Sequence, residues 1–191
     1  HWYQGTADAV YQNLYSIAQE NPQHVIVLAG DHVYKMDYAK MLRFHKDRGA
    51  AVTLAAIEIP IHEAARFRVL SVGEHDRVTG FIEKSKHAPS IPGSPDLALG
   101  SMGIYIFNTD VLLRALEADA ARPSSHDFGK DVIPRAVSEG RALAHPFSKS
   151  CIANPNGAPP YWRDVGTIDA FWSANLDLAS INPELDIYDT D

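Results

Sequence analysis

The chain has 191 residues, enough for one sizeable core and hardly two, and its 46% hydrophobic and 21% charged content is that of an ordinary folded domain. A net charge of −7 argues against a nucleic-acid binder. No apolar run is long enough to span a bilayer and no signal-peptide pattern opens the chain, so neither a nucleic-acid nor a membrane partner is expected. The single cysteine, Cys151, leaves no internal disulfide and fits a reducing cytoplasm, and the nine histidines are scattered without metal-cluster spacing.

In chain order, Trp2-Tyr3-Gln4-Gly5-Thr6 is a loop in which Gly5 permits a close backbone approach and Thr6 can cap a helix. Val10, Leu14, Ile17 and Ala18 recur at helical spacing, and Asn21-Pro22 ends that helix. Val25 to Ala29 is an unbroken apolar run, the pattern of a strand buried on both faces. It stops at Gly30 and leaves Asp31 just beyond its carboxyl end, the edge at which open α/β sheets bind ligands. Read alone, Asp31 either holds a cation against phosphate oxygens or caps the turn that follows.

Tyr38, Met41, Leu42 and Phe44 predict a second helix, closed at Arg48-Gly49, and Ala51–Glu58 a strand ended by Pro60. Helix, strand, helix, strand in this order predicts an α/β domain with a mixed, mostly parallel sheet sandwiched by helices. Phe67–Val72 and Val78–Glu83 flank Gly73-Glu74-His75-Asp76 as a hairpin, with Lys84 directly after it. Residues 89–100 read as a mobile loop, Ser101–Phe107 as a strand, and Val111, Leu112, Ala115 and Leu116 as a helix. Ser124–Asp131 is a polar loop before a helix carrying Val132, Ile133 and Val137, and Leu143–Phe147 a further strand. Tyr161–Thr167 precedes a helix with Ile168, Phe171, Trp172 and Leu176, which places one domain over 1–180 and a linker over 181–191.

Together, Trp2-Tyr3-Gln4-Gly5-Thr6-Ala7-Asp8-Ala9, Gly30–Tyr38, Glu83-Lys84, Ser101-Met102-Gly103-Ile104-Tyr105, His126–Asp131 and Tyr161–Thr167 resemble the bacterial glucose-1-phosphate adenylyltransferase family, in order and over nearly the whole chain. The resemblance implies a Rossmann-like nucleotidyltransferase domain. It implies conversion of ATP and glucose 1-phosphate to ADP-glucose and pyrophosphate with Mg²⁺, for glycogen synthesis, in an allosterically controlled homotetramer. It assigns Asp31 and Asp164 to the metal and, with Lys84, to catalysis. It assigns Lys84 to the sugar phosphate, Tyr3, Glu83, Ser101, Asp127 and Trp162 to the sugar site, and Gly5, Thr6 and Asp31 to the nucleotide. A phosphate monoester is mostly ionised at neutral pH, so a reaction in which it attacks needs charge neutralisation and positioning more than a general base.

The chain departs from that family at Arg68, where glycine is usual and where an arginine either adds a phosphate contact or crowds the pocket. The family's glycine-rich, arginine-containing loop and its C-terminal β-helix domain have no counterpart here, so the chain reads as an internal piece of a longer enzyme, inactive alone. Two other readings stand beside this one: a sugar-1-phosphate nucleotidyltransferase using UTP, dTTP or GTP, and a regulatory subunit that binds sugar phosphates without turning them over.

Overall fold

The computed structural model describes residues 2–83, 88–152, 160–185 and 187. The long strand β6 (Leu97–Asn108) holds the sheet together. One of its edges pairs along its length with β3 (Val52–Pro60), with an irregularity between Leu54 and Ala56. Its other edge is shared: β4 (Arg68–Val72) takes Leu99 and Gly100, and β1 (His24–Val27) takes Tyr105 to Asn108. Beyond these, β5 (Val78–Glu83) pairs with β4, and β7 (Ala142–Pro146) pairs with β3. A separate two-stranded ladder joins β2 (His32–Tyr34) to β8 (Trp162–Asp164).

The α/β sandwich matches expectation, but the sheet is mostly antiparallel, and β3 with β7 is the one parallel pair among the described residues. The reason is the placement of β6. Both β1 and β3 run antiparallel to it, so they are parallel to each other, as their helical crossover requires, yet β6 lies between them. The β4–β5 hairpin, turned at Gly73–Arg77, adds a further antiparallel pair. The run expected as a central strand is therefore β1 beside β6, partly buried along its length. Its lack of alternation still has the expected cause: Val25 and Val27 pack on one face of the sheet and Ile26 on the other.

Those two faces carry the two main cores. Val52, Leu54, Ala56, Tyr105 and Phe107 point towards α1 (Thr6–Tyr11), α4 (Thr109–Ala120) and α5 (Ile133–Ser138), meeting Ala7, Leu112, Leu116, Ile133 and Ala136. Ala55, Met102, Ile104 and Ile106 face α3 (Tyr38–Asp47) through Met41, with Phe147 and Trp162 beside them. The first helix is split: α1 ends at Tyr11 and α2 (Leu14–Glu20) follows, closed by the left-handed Asn21. Gly5, not Thr6, is the capping residue of α1. Leu97–Gly100, read as loop, belongs to β6. Asp37 caps α3 by accepting from the Ala39 and Lys40 amides, and the left-handed Gly49 follows its end. The helix α6 (Ile168–Leu178) starts at the Thr167 cap and turns Ile168, Phe171, Trp172 and Leu176 outward.

Two buried histidines tie the strands to their surroundings. His45 of α3 accepts from the Thr53 hydroxyl at 2.8 Å through Nδ1 and donates to Asn108 Oδ1 at 3.0 Å through Nε2. His145 of β7 lies 3.0 Å from Ser150 Oγ through Nε2, and its buried Nδ1 has no hydrogen-bond partner among the described residues. Burial holds the His145 imidazole down at about 4 from its ordinary 6.5, with Lys149 adding to the effect and Asp76 opposing it. Between those two values the unfolded chain binds a proton that the folded chain refuses. Stability therefore rises with pH through that window and is fully present above 6.5. Urea unfolding from pH 7 down to pH 4.5 shows a falling midpoint, and His145→Gln flattens that fall.

Candidate active site

The shared edge of β6 makes the site. Between the residues paired to β4 and those paired to β1, Ser101 and Gly103 have no strand on this edge among the described residues, and a cleft of about 370 Å³ opens there. Ser101, Gly103 and Tyr105 line it from one face of β6, as the period of two requires, while Met102 and Ile104 go to the core. Gly103 has φ +69, and a side chain at that position would press on the His32 ring. Asp31, Asp164, His32 and Trp162 form one wall, Arg66, Phe67 and Arg68 another, and Thr6, Asp127, Phe128 and Gly129 a third.

The two carboxylates expected at a metal do meet. The β2–β8 ladder sets His32 opposite Asp164, so Asp31 and Asp164 come from strand ends that touch. The Val165 amide donates to the Asp31 carbonyl at 2.8 Å, and the Gly166 amide donates to Asp164 Oδ1 at 2.8 Å. Both side chains converge on Gly166, where a Cβ would stand 3.0 Å from Asp164 Oδ1 and 3.4 Å from Asp31 Oδ2. The Asp31 side chain is 59% exposed, open to the cleft. Among the described residues no group of three or more His, Cys, Asp and Glu side chains forms a metal cage. Two carboxylates suit Mg²⁺, which keeps waters and takes its remaining ligands from substrate phosphates. Beside them His32 and Trp162 meet edge to face at 4.9 Å, and His32 Nδ1 and Trp162 Nε1 are buried without hydrogen-bond partners among the described residues.

A second group of lining residues is organised around Arg68. It opens β4 directly across from Glu83, and its guanidinium donates to Glu83 at 3.4 Å and to Asp127 at 3.3 Å while lying over Gly129. Asp127 also accepts from the Thr6 hydroxyl at 3.0 Å and caps the turn that follows it through the Lys130 amide. Tyr105, buried beneath, has its hydroxyl pushed up by burial, an effect its hydrogen bond to Ser101 opposes.

Of the residues predicted from sequence, Thr6, Asp31, Arg68, Ser101, Asp127, Trp162 and Asp164 line this one cleft. Glu83 reaches it through Arg68. Tyr3 does not line it: the ring is largely exposed and its hydroxyl accepts from Asn13. Gly5 packs behind the lining, where a Cβ would collide with the carbonyl oxygens of Ser125 and His126. Lys84 lies outside the described residues. The sequence reading gave no role to Arg66, His32, Gly103, Tyr105 or Gly129. The alternation Ser101, Gly103, Tyr105 was the available signal for two of these.

A strand-end carboxylate pair, two arginines and a cleft at the edge of an α/β sheet suit a site that handles phosphorylated ligands. Residues 2–181 match the nucleotidyl transferase family, and the chain belongs to it. Within that family it is similar over its whole length to glucose-1-phosphate adenylyltransferases. The protein of that name from Francisella tularensis subsp. novicida is 58% identical over 193 aligned positions, covering 100% of this chain and 46% of the relative. The one from Paraburkholderia phymatum is 56% identical over 190, covering 99% and 45%, and that from Roseobacter denitrificans 55% over 192, covering 100% and 46%. The chain thus spans less than half the length of these curated relatives. Among the described residues no helix is long and apolar enough to cross a membrane.

Proposed function

We propose that the protein transfers the adenylyl group of ATP to glucose 1-phosphate. A phosphate oxygen of the sugar phosphate attacks the α-phosphorus of ATP, the bond to the β-phosphate oxygen breaks, and ADP-glucose and pyrophosphate are formed. The observation that carries this reading is the convergence of Asp31 and Asp164 on Gly166 at the mouth of the cleft. The name shared by relatives at 55–58% identity supports the choice of substrates.

Asp31 and Asp164 would hold a Mg²⁺ ion, whose contribution would be to neutralise phosphate charge. Ser101, Trp162 and Asp127 orient the sugar, and Arg68 and Lys84 receive its phosphate. Thr6 borders the nucleotide. No side chain needs to take a proton from the nucleophile, which is already ionised. A panel of ATP, UTP, dTTP and GTP with glucose 1-phosphate on the full-length protein tests the assignment. ATP is the preferred donor, and a preference for UTP or dTTP contradicts it.

The non-catalytic reading has one observation in its favour: Arg68 spans two carboxylates that a sugar would use. Both ion pairs are long, single contacts on a partly exposed guanidinium, and a phosphate dianion accepting two N–H bonds competes well with them. Arg68→Ala therefore raises KM for glucose 1-phosphate about tenfold and leaves KM for ATP within about twofold. A lower KM for the sugar phosphate in that variant shows that Arg68 blocks the pocket.

A further inference from the structure

One cluster beside the cleft is more heavily built than a surface loop requires. Asp119, in the last turn of α4, is 3% exposed. Its carboxylate accepts from His126 Nδ1 at 2.8 Å, Ser124 Oγ at 3.0 Å and Arg122 at 3.3 Å. Ser124 Oγ in turn accepts from the His126 backbone amide at 3.0 Å. This is no hydrolytic triad, because Ser124 and Asp119 both face the same imidazole nitrogen, Nδ1, and no proton can pass between them through the ring. An ionised carboxylate only accepts, so Nδ1 carries the hydrogen.

The purpose of the clamp lies in the His126 backbone. His126 sits at φ +52, a conformation that costs a β-carbon-bearing residue energy and that the side-chain bonds to Asp119 and Ser124 hold in place. In that conformation its carbonyl accepts from the Ala7 amide at 2.7 Å and the Asp8 amide at 3.3 Å, which fixes the first turn of α1. Thr6, in that same turn, then donates to Asp127 and accepts from the Phe128 amide, both at 3.0 Å. The two segments that form the third wall of the cleft are thus tied directly by Thr6 and, behind it, by the His126 carbonyl, which belongs to a residue that does not line the cleft.

We propose that His126, clamped by Asp119, is a positioning residue for Asp127 on the sugar side of the cleft, setting it through its own left-handed backbone and the Thr6 hydroxyl that donates to Asp127. The role in turnover rests on the adenylyl-transfer reading above; the coupling of the two segments does not. The test uses His126→Gly and His126→Asn in the full-length protein. Glycine keeps the φ +52 backbone and loses the clamp. Asparagine tolerates that backbone and can present an amide N–H where Nδ1 stands.

Hydrogen exchange reads the coupling independently of activity. In His126→Gly, the amides of Ala7, Asp8 and Phe128 lose protection together, by about tenfold or more, and in His126→Asn they keep it. Steady-state kinetics reads the role. His126→Gly raises KM for glucose 1-phosphate about tenfold with kcat reduced less than about threefold, and His126→Asn returns KM to within about threefold of the parent. Unchanged protection at Ala7 and Asp8 in the glycine variant overturns the coupling. Lost protection with unchanged KM overturns the positioning role and leaves His126 a purely structural residue. A parent protein that forms no ADP-glucose fails the functional reading, while the exchange result still decides the coupling.

Discussion

Asp164→Asn in the full-length protein lowers kcat by about a thousandfold or more, with the urea midpoint little changed, and Asp31→Asn does the same. Asparagine has the shape of aspartate and can keep the bond that Asp164 Oδ1 accepts from the Gly166 amide, so the local turn survives. What is lost is one of two negative charges that face each other across Gly166. An amide oxygen is a weaker ligand for a hard cation than a carboxylate, and the double variant costs little more than either single one because the pair acts as a unit. Rates near those of the parent in either variant remove that residue from the metal site. Circular dichroism and the unfolding midpoint separate a lost ligand from a lost fold.

Gly5→Ala has the second large effect, and it acts on the fold before the chemistry. Gly5 is in extended backbone at φ −174, so the objection to a side chain is spatial and not conformational. The added Cβ collides with the carbonyl oxygens of Ser125 and His126, which are backbone atoms and cannot rotate away. The His126 carbonyl is also the acceptor for the first turn of α1. Separating the strands of chain here breaks those bonds as well as the packing. The expected cost is about 3 kcal/mol in urea unfolding, with KM for glucose 1-phosphate raised in whatever fraction stays folded. A variant within about 0.5 kcal/mol of the parent shows that the two loops can part freely.

These two sites differ in how far the sequence disclosed them. Asp31 was singled out because an apolar run stops at Gly30, just before it, but that local pattern left cation binding and turn capping equally open, and the strand itself ends at Val27. Asp164 had no such local mark; it was identified by the resemblance of Tyr161–Thr167 to a family motif, and the reason it meets Asp31 is the β2–β8 ladder, two strands of three residues too short to announce themselves. Gly5 was read as permitting a close backbone approach, and it does; what local sequence could not show is that the approaching backbone is that of residues 125–126, some 120 residues away. The direction of the sheet was misread for a similar reason. Helix and strand order correctly made β1 and β3 parallel, but nothing within residues 24–60 shows that β6, from residues 97–108, inserts between them. Where a strand goes depends on which edge is open when it arrives, and that is a property of the assembled fold.

Arg68 shows the opposite case. Its position beside the residues that the resemblance assigns to a sugar was legible, but its effect was not, because a guanidinium at a cleft wall can serve a ligand or replace one. Its contacts with Glu83 and Asp127 give it a resting place between two carboxylates, from which the phosphate of a substrate can draw it. The cleft then holds opposite charges at separate walls, carboxylates at Asp31 and Asp164 and guanidinium groups at Arg66 and Arg68. That division suits two anionic substrates that must be brought together, one by way of a cation and one directly, in a chain whose overall charge of −7 would otherwise repel them.

The most direct measurement is ³¹P NMR of the full-length protein with ATP, glucose 1-phosphate and Mg²⁺. The account predicts that the glucose 1-phosphate signal is consumed in step with ATP, as the diphosphate signals of ADP-glucose and the single line of pyrophosphate grow in equal amounts, and that Asp164→Asn shows neither. ATP converted to ADP and orthophosphate with glucose 1-phosphate untouched, or no change at all in the parent protein, contradicts it.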